Sequence, residues 1–139
     1  MNFLPELTKG RTIQPKIIVS DDTLREGEQA GEVSFSIDDK VRLAEKLGEI
    51  GIRRVQIGFT GKSAADREVV RRLRANGSGL RLGGMLLLSD KDWQEQVAIA
   101  CDTGIDVLTM MFPASDIRLQ IGLKISRKQM LDFSVGAVE

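Results

Sequence analysis

Four short apolar runs alternate along the chain with segments of helical periodicity. The runs are rich in branched side chains and nearly continuous in hydrophobicity, which is typical of strands buried on both faces of a parallel sheet. They cover residues 16–20, 53–59, 80–88 and 105–111. Between them, apolar residues recur every three or four positions, which predicts amphipathic helices. The predicted order is βαβαβαβ, with a fourth helix at the end.

Capping signals mark where these helices begin and end. A serine followed three residues later by Asp or Gln is a pattern of helix N-termini. The serines with this spacing are Ser36, Ser63, Ser89 and Ser126. Glycines suited to a left-handed C′ position follow the first three helices, namely Gly51, Gly77 and Gly104. Because the signals recur at nearly even steps, we interpret the chain as a repeated strand–helix unit.

Two architectures fit this order, an open doubly wound sheet and a (β/α)8 barrel. A barrel needs about 250 residues, so the 139 residues would form roughly its first half. The helix that begins at Ser126 has no stop signal before Glu139, which favours a barrel truncated in the fourth helix. We therefore predict an N-terminal arm over residues 1–15 and the first part of a (β/α)8 barrel over residues 16–139.

Composition narrows the class of protein. Lys plus Arg and Asp plus Glu number 20 each, so the charge balance gives no reason to expect a nucleic acid partner. No run approaches the ~20 apolar residues of a membrane span, and the N-terminus does not resemble a secretory signal; we expect a cytoplasmic protein. Cys101 is the only cysteine and has core spacing with Trp93 and Val97, which predicts a buried structural thiol.

The segment with candidate chemistry directly follows the first predicted strand. Residues 21–29 read DDTLREGEQ, and both architectures bind ligands in loops after strand ends. Carboxylates in such a loop can bind a hard divalent cation, and Arg25 can neutralise charge that develops on a bound oxygen. From composition alone, a solvated acidic loop is the alternative interpretation.

The order of residues 21–29 resembles the signature of the metal-dependent acyl-CoA condensing enzymes, the homocitrate, isopropylmalate and citramalate synthases. Glu26, where most members have Asp, is most similar to the homocitrate synthases. Further similarity lies in Phe35-Ser36, Lys40, Gly51-Ile52, Gly58-Phe59, residues 114–117, Leu123 and Ser126-Arg127. The resemblance thus extends from about residue 16 to the C-terminus.

The resemblance implies an acyltransferase of amino-acid biosynthesis. Such an enzyme joins acetyl-CoA to a 2-oxo acid, either 2-oxoglutarate or a branched one, by a Claisen-type condensation that depends on Mg, Mn or Zn. It implies that Glu26 is a metal ligand and that Arg25 stabilises the enolate or the new alkoxide. Gln29 supports catalysis by hydrogen bonding, while Asp21 and Gln56 lie on the substrate side of the site.

Departures from the family pattern leave other functions open. The chain has no His and so lacks the family's His-x-His metal ligands, Gln56 replaces a Glu, and Leu86 to Leu88 include no arginine. These gaps predict that the chain alone is inactive, and its partner is expected to be another copy or a complementary C-terminal half. The alternatives are a lyase or aldolase of the same superfamily and a non-catalytic half-barrel that acts as a binding or assembly module.

Overall fold

Four parallel strands alternate with helices in the computed structural model, which describes residues 18–138. The strands are β1 (Ser20–Asp21), β2 (Arg54–Gly58), β3 (Arg81–Leu87) and β4 (Val107–Met111). Their order in the sheet is their order in the chain, and each neighbouring pair is parallel. The predicted α/β class, the first half of a (β/α)8 barrel, is confirmed. The predicted arm over residues 1–15 lies outside the described residues.

Helices follow each strand of this sheet along the chain. They are α1 (Thr23–Glu26), α2 (Ile37–Glu49), α3 (Ala64–Ala75), α4 (Trp93–Asp102) and α5 (Arg127–Gly136). A 3₁₀ turn, Gly27–Gln29, continues α1, and a π-helical segment, Arg118–Leu123, precedes α5. The helix predicted to begin at Ser126 as the fourth is α5 in the structure, and truncation within it stays a prediction. Among the helices of residues 18–138, none has the length and apolar character needed to cross a membrane.

Most of the predicted helix ends are confirmed. The Ser36 hydroxyl accepts a hydrogen bond from the Asp39 amide, and the Asp39 carboxylate accepts one from the Ser36 amide. This reciprocal pair is a capping box, and it forms here with Asp in place of the longer Glu. Ser63 and Ser126 also accept bonds from the third helical residue. The three C′ glycines have φ values of +96°, +65° and +83°. Ser89 as an N-cap is wrong: Asp92 occupies that position, because a turn closed by Asp90 N–H to Leu87 O (3.1 Å) precedes the helix.

The core lies between the sheet and the helices. Its buried residues are Leu24, Ala44, Val55, Ile57, Val69, Val70, Leu73, Leu80 and Leu82. Because successive strand residues point to opposite faces, burial of Val55, Ile57 and Leu82 under the helices places their neighbours on the other face. That face of the sheet corresponds to the interior of a barrel. Arg54, Gln56, Arg81 and Gly83 therefore lie on the inner face.

The buried side of α4 differs from the prediction. Gln96 and Ala100 are buried, whereas Cys101 is exposed, so the predicted buried thiol is wrong. Gln96 can occupy this buried position because its amide donates a hydrogen bond to Asp92 Oδ1 (2.8 Å), and buried polar groups are normally hydrogen-bonded. Gly61 permits the close approach, since a Cβ at Gly61 would overlap the Gln96 side chain.

Candidate active site

The loop after β1 is organised by the carboxylate of Asp21. Its Oδ1 accepts a hydrogen bond from the Thr23 amide (2.9 Å) and its Oδ2 one from the Thr23 hydroxyl (3.2 Å). This local pairing starts a turn that leads into α1, where the amides of Arg25 and Glu26 donate to the Asp22 carbonyl (3.1 and 2.8 Å). Asp21 thus directs the chain at the strand end, and its role in substrate binding stays a prediction.

Three of the candidate residues contact one another. Arg25 Nη1 lies 2.5 Å from Glu26 Oε2, and Arg25 Nη2 lies 3.2 Å from Asp22 Oδ2. With its amide oriented by hydrogen bonding, Gln29 donates to Glu26 Oε1 (3.1 Å) and accepts from Arg25 Nη1 (3.3 Å). The Arg25 side chain is only 13% exposed, and its Nε is buried without a hydrogen-bond partner among the described residues. The carboxylates of Asp22 and Glu26 therefore fix the direction of the Arg25 guanidinium.

Glu26 offers an accessible oxygen donor, since its side chain is 57% exposed. However, within residues 18–138 no three His, Cys, Asp or Glu side chains are grouped so that they could hold a metal ion. One carboxylate completed by water binds a divalent cation weakly, and Arg25 already pairs with this one. The described residues therefore do not form a metal site by themselves.

A buried lysine ties this loop to the rest of the domain. Lys40 on α2 is 4% exposed, and its Nζ lies 2.7 Å from both Glu28 Oε2 and Asp66 Oδ1. Glu28 also accepts from the Phe35 amide (3.2 Å). Burial lowers the pKa of Lys40, but its hydrogen bonds to Asp66 and Glu28 raise it more, so the net pKa lies above its ordinary value. Sequence reasoning noted Lys40 only through the family resemblance and missed this role.

The end of β2 packs closely against Asp66, which pairs with Lys40. Asp66 Oδ2 accepts a hydrogen bond from the Phe59 amide (2.9 Å). Gly58 has φ of +150°, and a Cβ at this position would overlap the Asp66 carboxylate. Only glycine meets both conditions without strain, which gives a structural reason for the Gly58-Phe59 pair in the sequence.

Gln56 lies in the middle of β2, two residues before the strand end at Gly58. It is 3% exposed and pairs in register with Gly83 of β3, where an added Cβ would overlap the Gln56 amide oxygen. Its Nε2 has no hydrogen-bond partner among the described residues. Since α1 packs against β2, Gln56 lies on the strand next to the candidate loop, and its contact with substrate stays a prediction.

Parallel strand–helix units with a charged loop at the carboxyl end of β1 are the architecture of a (β/α)8-barrel domain. The chain belongs to the HMGL-like family, whose model matches residues 16–139.

The chain is also similar to named synthases of archaea. It is 29% identical to the homocitrate synthase AksA of Methanopyrus kandleri over 99% of this chain and 34% of that protein. It is 31% identical to the 2-isopropylmalate synthase of Sulfurisphaera tokodaii over 84% of this chain and 30% of that protein. A probable 2-isopropylmalate synthase of Ignicoccus hospitalis is 29% identical over 89% of this chain and 30% of that protein. The chain thus spans about a third of the length of these relatives.

Proposed function

We propose that this chain contributes the first part of the active site of an acyltransferase that condenses acetyl-CoA with a 2-oxo acid. The observation that supports this most is the contact cluster of Arg25, Glu26 and Gln29 at the carboxyl end of β1. It occurs in a member of the HMGL-like family whose relatives include homocitrate and 2-isopropylmalate synthases. The 2-oxo acid is 2-oxoglutarate or a branched one.

The proposed reaction places negative charge on oxygen, which is what Arg25 can stabilise. The acetyl methyl group loses a proton, and its carbon bonds to the carbonyl carbon of the 2-oxo acid, whose oxygen gains a proton. Water then cleaves the thioester and releases CoA. Both Nη atoms of Arg25 are paired with carboxylates, which fixes the direction of the guanidinium. A donor fixed in this way stabilises developing charge without reorganising during the reaction.

The proposed cofactor is a divalent metal ion, to which Glu26 would contribute one oxygen. Hard cations take several oxygen ligands, so the other ligands would come from outside residues 18–138. For the same reason we expect the 139-residue chain alone to be inactive. Asp21 and Gln56 are proposed on the substrate side, Asp21 by orienting the loop and Gln56 through its unpaired amide nitrogen.

The test uses this chain joined to a C-terminal part that brings it to the length of its relatives. Release of the CoA thiol is measured with acetyl-CoA and a panel of 2-oxo acids, with and without Mg²⁺, Mn²⁺ or Zn²⁺. Arg25→Ala should lower kcat/KM by on the order of a hundredfold, whereas Arg42→Ala should not, because Arg42 is exposed and, among the described residues, pairs only with Asp39 on α2. Thiol release that is unchanged in Arg25→Ala, or absent with every acid tested, would contradict the proposal.

A second candidate function is a non-catalytic binding or assembly module. It is favoured by the neutral Gln56 amide and by the lack of a three-residue metal cluster within residues 18–138. A module of this kind would associate with its partner while the extended protein releases no thiol from acetyl-CoA. Arg25→Ala would then leave association unchanged, which separates this candidate from an active synthase.

A further inference from the structure

Two arginines lie side by side on the inner face of the sheet. Arg54 of β2 pairs in register with Arg81 of β3, so both side chains leave the same face at the N-terminal ends of the strands. The residues that follow them, Val55 and Leu82, are buried in the core under the helices. Strand alternation therefore directs both arginines toward the space that a closed barrel would enclose.

These charges have no ion-pair partner in the part of the chain that the structure describes. Neither arginine forms a salt bridge within residues 18–138, and Arg54 Nε is buried without a hydrogen-bond partner. Asp106 is close enough to Arg81 for its pKa to be affected, but its carboxylate binds Arg74 (2.6 Å) and the Leu82 amide (2.7 Å). Like charges directly opposite each other destabilise a sheet, so an acidic neighbour would stabilise this pair.

Space for such a neighbour exists next to the pair. A cavity of about 600 Å³ lies at this end of the sheet, and its lining includes Arg54, Arg81 and the exposed side chains of Ile18 and Val19. Among residues 18–138, no strand pairs with the outer edge of β1 or of β4, and unpaired sheet edges can accept further strands. The surface thus combines two free edges, apolar contacts and an unbalanced positive charge.

A second copy of the chain is a poor match for this surface. Pairing β4 of each copy with β1 of the other would close eight parallel strands around a two-fold axis. The same symmetry would bring Arg54 and Arg81 of both copies to one level of the interior. Four enclosed cations without carboxylates are strongly unfavourable, and such repulsion selects against a wrong partner.

We propose that this inner face docks an acidic half-barrel, a set of parallel strand–helix units whose inward side chains at the level of Arg54 and Arg81 are carboxylates. The relatives are about three times as long as this chain, which is enough protein for such a half. Arg54 and Arg81 lie at the opposite end of the strands from the Arg25 loop. The proposal on barrel closure can therefore fail while the proposed synthase chemistry holds, and the synthase chemistry can fail while this proposal holds.

A charge-reversed copy of the chain provides the test. The double variant Arg54→Glu, Arg81→Glu keeps both sheet edges and presents carboxylates at the required level. Mixed with the unmodified chain, it should form a one-to-one pair at least on the order of tenfold tighter than the pair formed by the unmodified chain alone. Native mass spectrometry distinguishes the mixed pair from either homodimer, and sedimentation gives the affinities. The neutral variant Arg54→Gln, Arg81→Gln is the matched control and should show no such gain.

Circular dichroism and thermal unfolding establish that each variant is folded. The single variant Arg81→Glu, at an exposed position, serves if the double variant unfolds, and it should also pair with the unmodified chain more tightly than that chain pairs with itself. The proposal is overturned if folded variants do not pair, or if the unmodified chain associates with itself as tightly as with the acidic copy. It is also overturned if inorganic phosphate stabilises the unmodified chain but not the neutral variant while no mixed pair forms, because the arginines would then bind a small anion.

Discussion

Nζ of Lys40 lies 2.7 Å from Oε2 of Glu28, so a buried cation on α2 holds the turn that carries Gln29. The same Nζ donates to Asp66 Oδ1 on α3 at 2.7 Å. The candidate loop is thereby fixed to two helices of the core, although its own hydrogen bonds are almost all local. Rigid support of this kind is what precise placement of a functional side chain requires.

Removing the Lys40 charge should destabilise the domain. Lys40→Met leaves two carboxylates near each other without their cation, and breaking a buried ion pair costs about 3 kcal/mol or more in the free energy of unfolding. Urea denaturation measures the change. Lys46→Met is the control, because its exposed pair with Glu49 should contribute less than about 1 kcal/mol. Equal effects of the two variants would contradict a structural role for the buried network.

The stability that Lys40 provides should be lost only at alkaline pH. Its pKa in the folded chain lies above the ordinary value of 10.5, so above pH 10.5 the folded state binds more protons than the unfolded state. The free energy of unfolding then falls as pH rises through the folded pKa, while the contribution is complete below 10.5. The difference in stability between the unmodified chain and Lys40→Met, followed from neutral to alkaline pH, should be flat and then shrink. A difference that shrinks near neutral pH would refute this.

Gly58 should not tolerate a side chain. Gly58→Ala places a Cβ against the Asp66 carboxylate at a φ of +150°, and backbone strain of this kind costs roughly 1–3 kcal/mol. Gly31→Ala is the control, since no atom of residues 18–138 lies within 4 Å of a Cβ at Gly31. Thermal unfolding of the two variants compares them directly. If Gly58→Ala and Gly31→Ala unfold at the same temperature, the close packing of Asp66 against β2 is not important for stability.

In the extended protein, Arg25 should be needed for chemistry and dispensable for metal binding. Loss of an oxyanion donor costs about 3 kcal/mol in transition-state stabilisation, and we expect a loss of that size in kcat/KM for Arg25→Ala. Arg25→Lys should recover little, because a point charge does not reproduce the planar fork. Calorimetry with Mn²⁺ should give nearly the same affinity as the unmodified protein. A large loss of metal affinity would mean that Arg25 acts by positioning Glu26.

Glu26, in contrast to Arg25, should be needed for metal binding. In the extended protein Glu26→Gln should weaken Mn²⁺ binding, because the amide keeps the size but not the charge, whereas Glu26→Asp should retain part of it. The 139-residue chain should bind Mn²⁺ more weakly than the extended protein, because a single carboxylate completed by water supplies few of the oxygen ligands that a hard cation takes. Calorimetry measures both. If Glu26→Gln binds the metal as well as the unmodified protein, Glu26 is not a ligand.

The local part of the candidate site could be predicted from the sequence, and the long-range part could not. Arg25, Glu26 and Gln29 lie within one turn-like segment, so their contacts depend mainly on neighbouring backbone. Gln56 is a residue of another strand, and the position of its amide group over Gly83 depends on the register of β2 and β3. No pattern within either strand specifies that register.

Local signals in the sequence predicted the class of fold and most of the helix ends. Serine caps, left-handed glycines and apolar runs act over a few residues, so Ser36, Ser126 and Gly51 could be assigned before any contact was known. Long-range packing sets the features that local signals did not predict: α4 buries Gln96 and not Cys101, Lys40 joins Glu28 to Asp66, and Arg54 faces the same side as Arg81. These outcomes depend on how whole elements pack and in which register, and the free energy of that packing is shared among residues far apart in the chain.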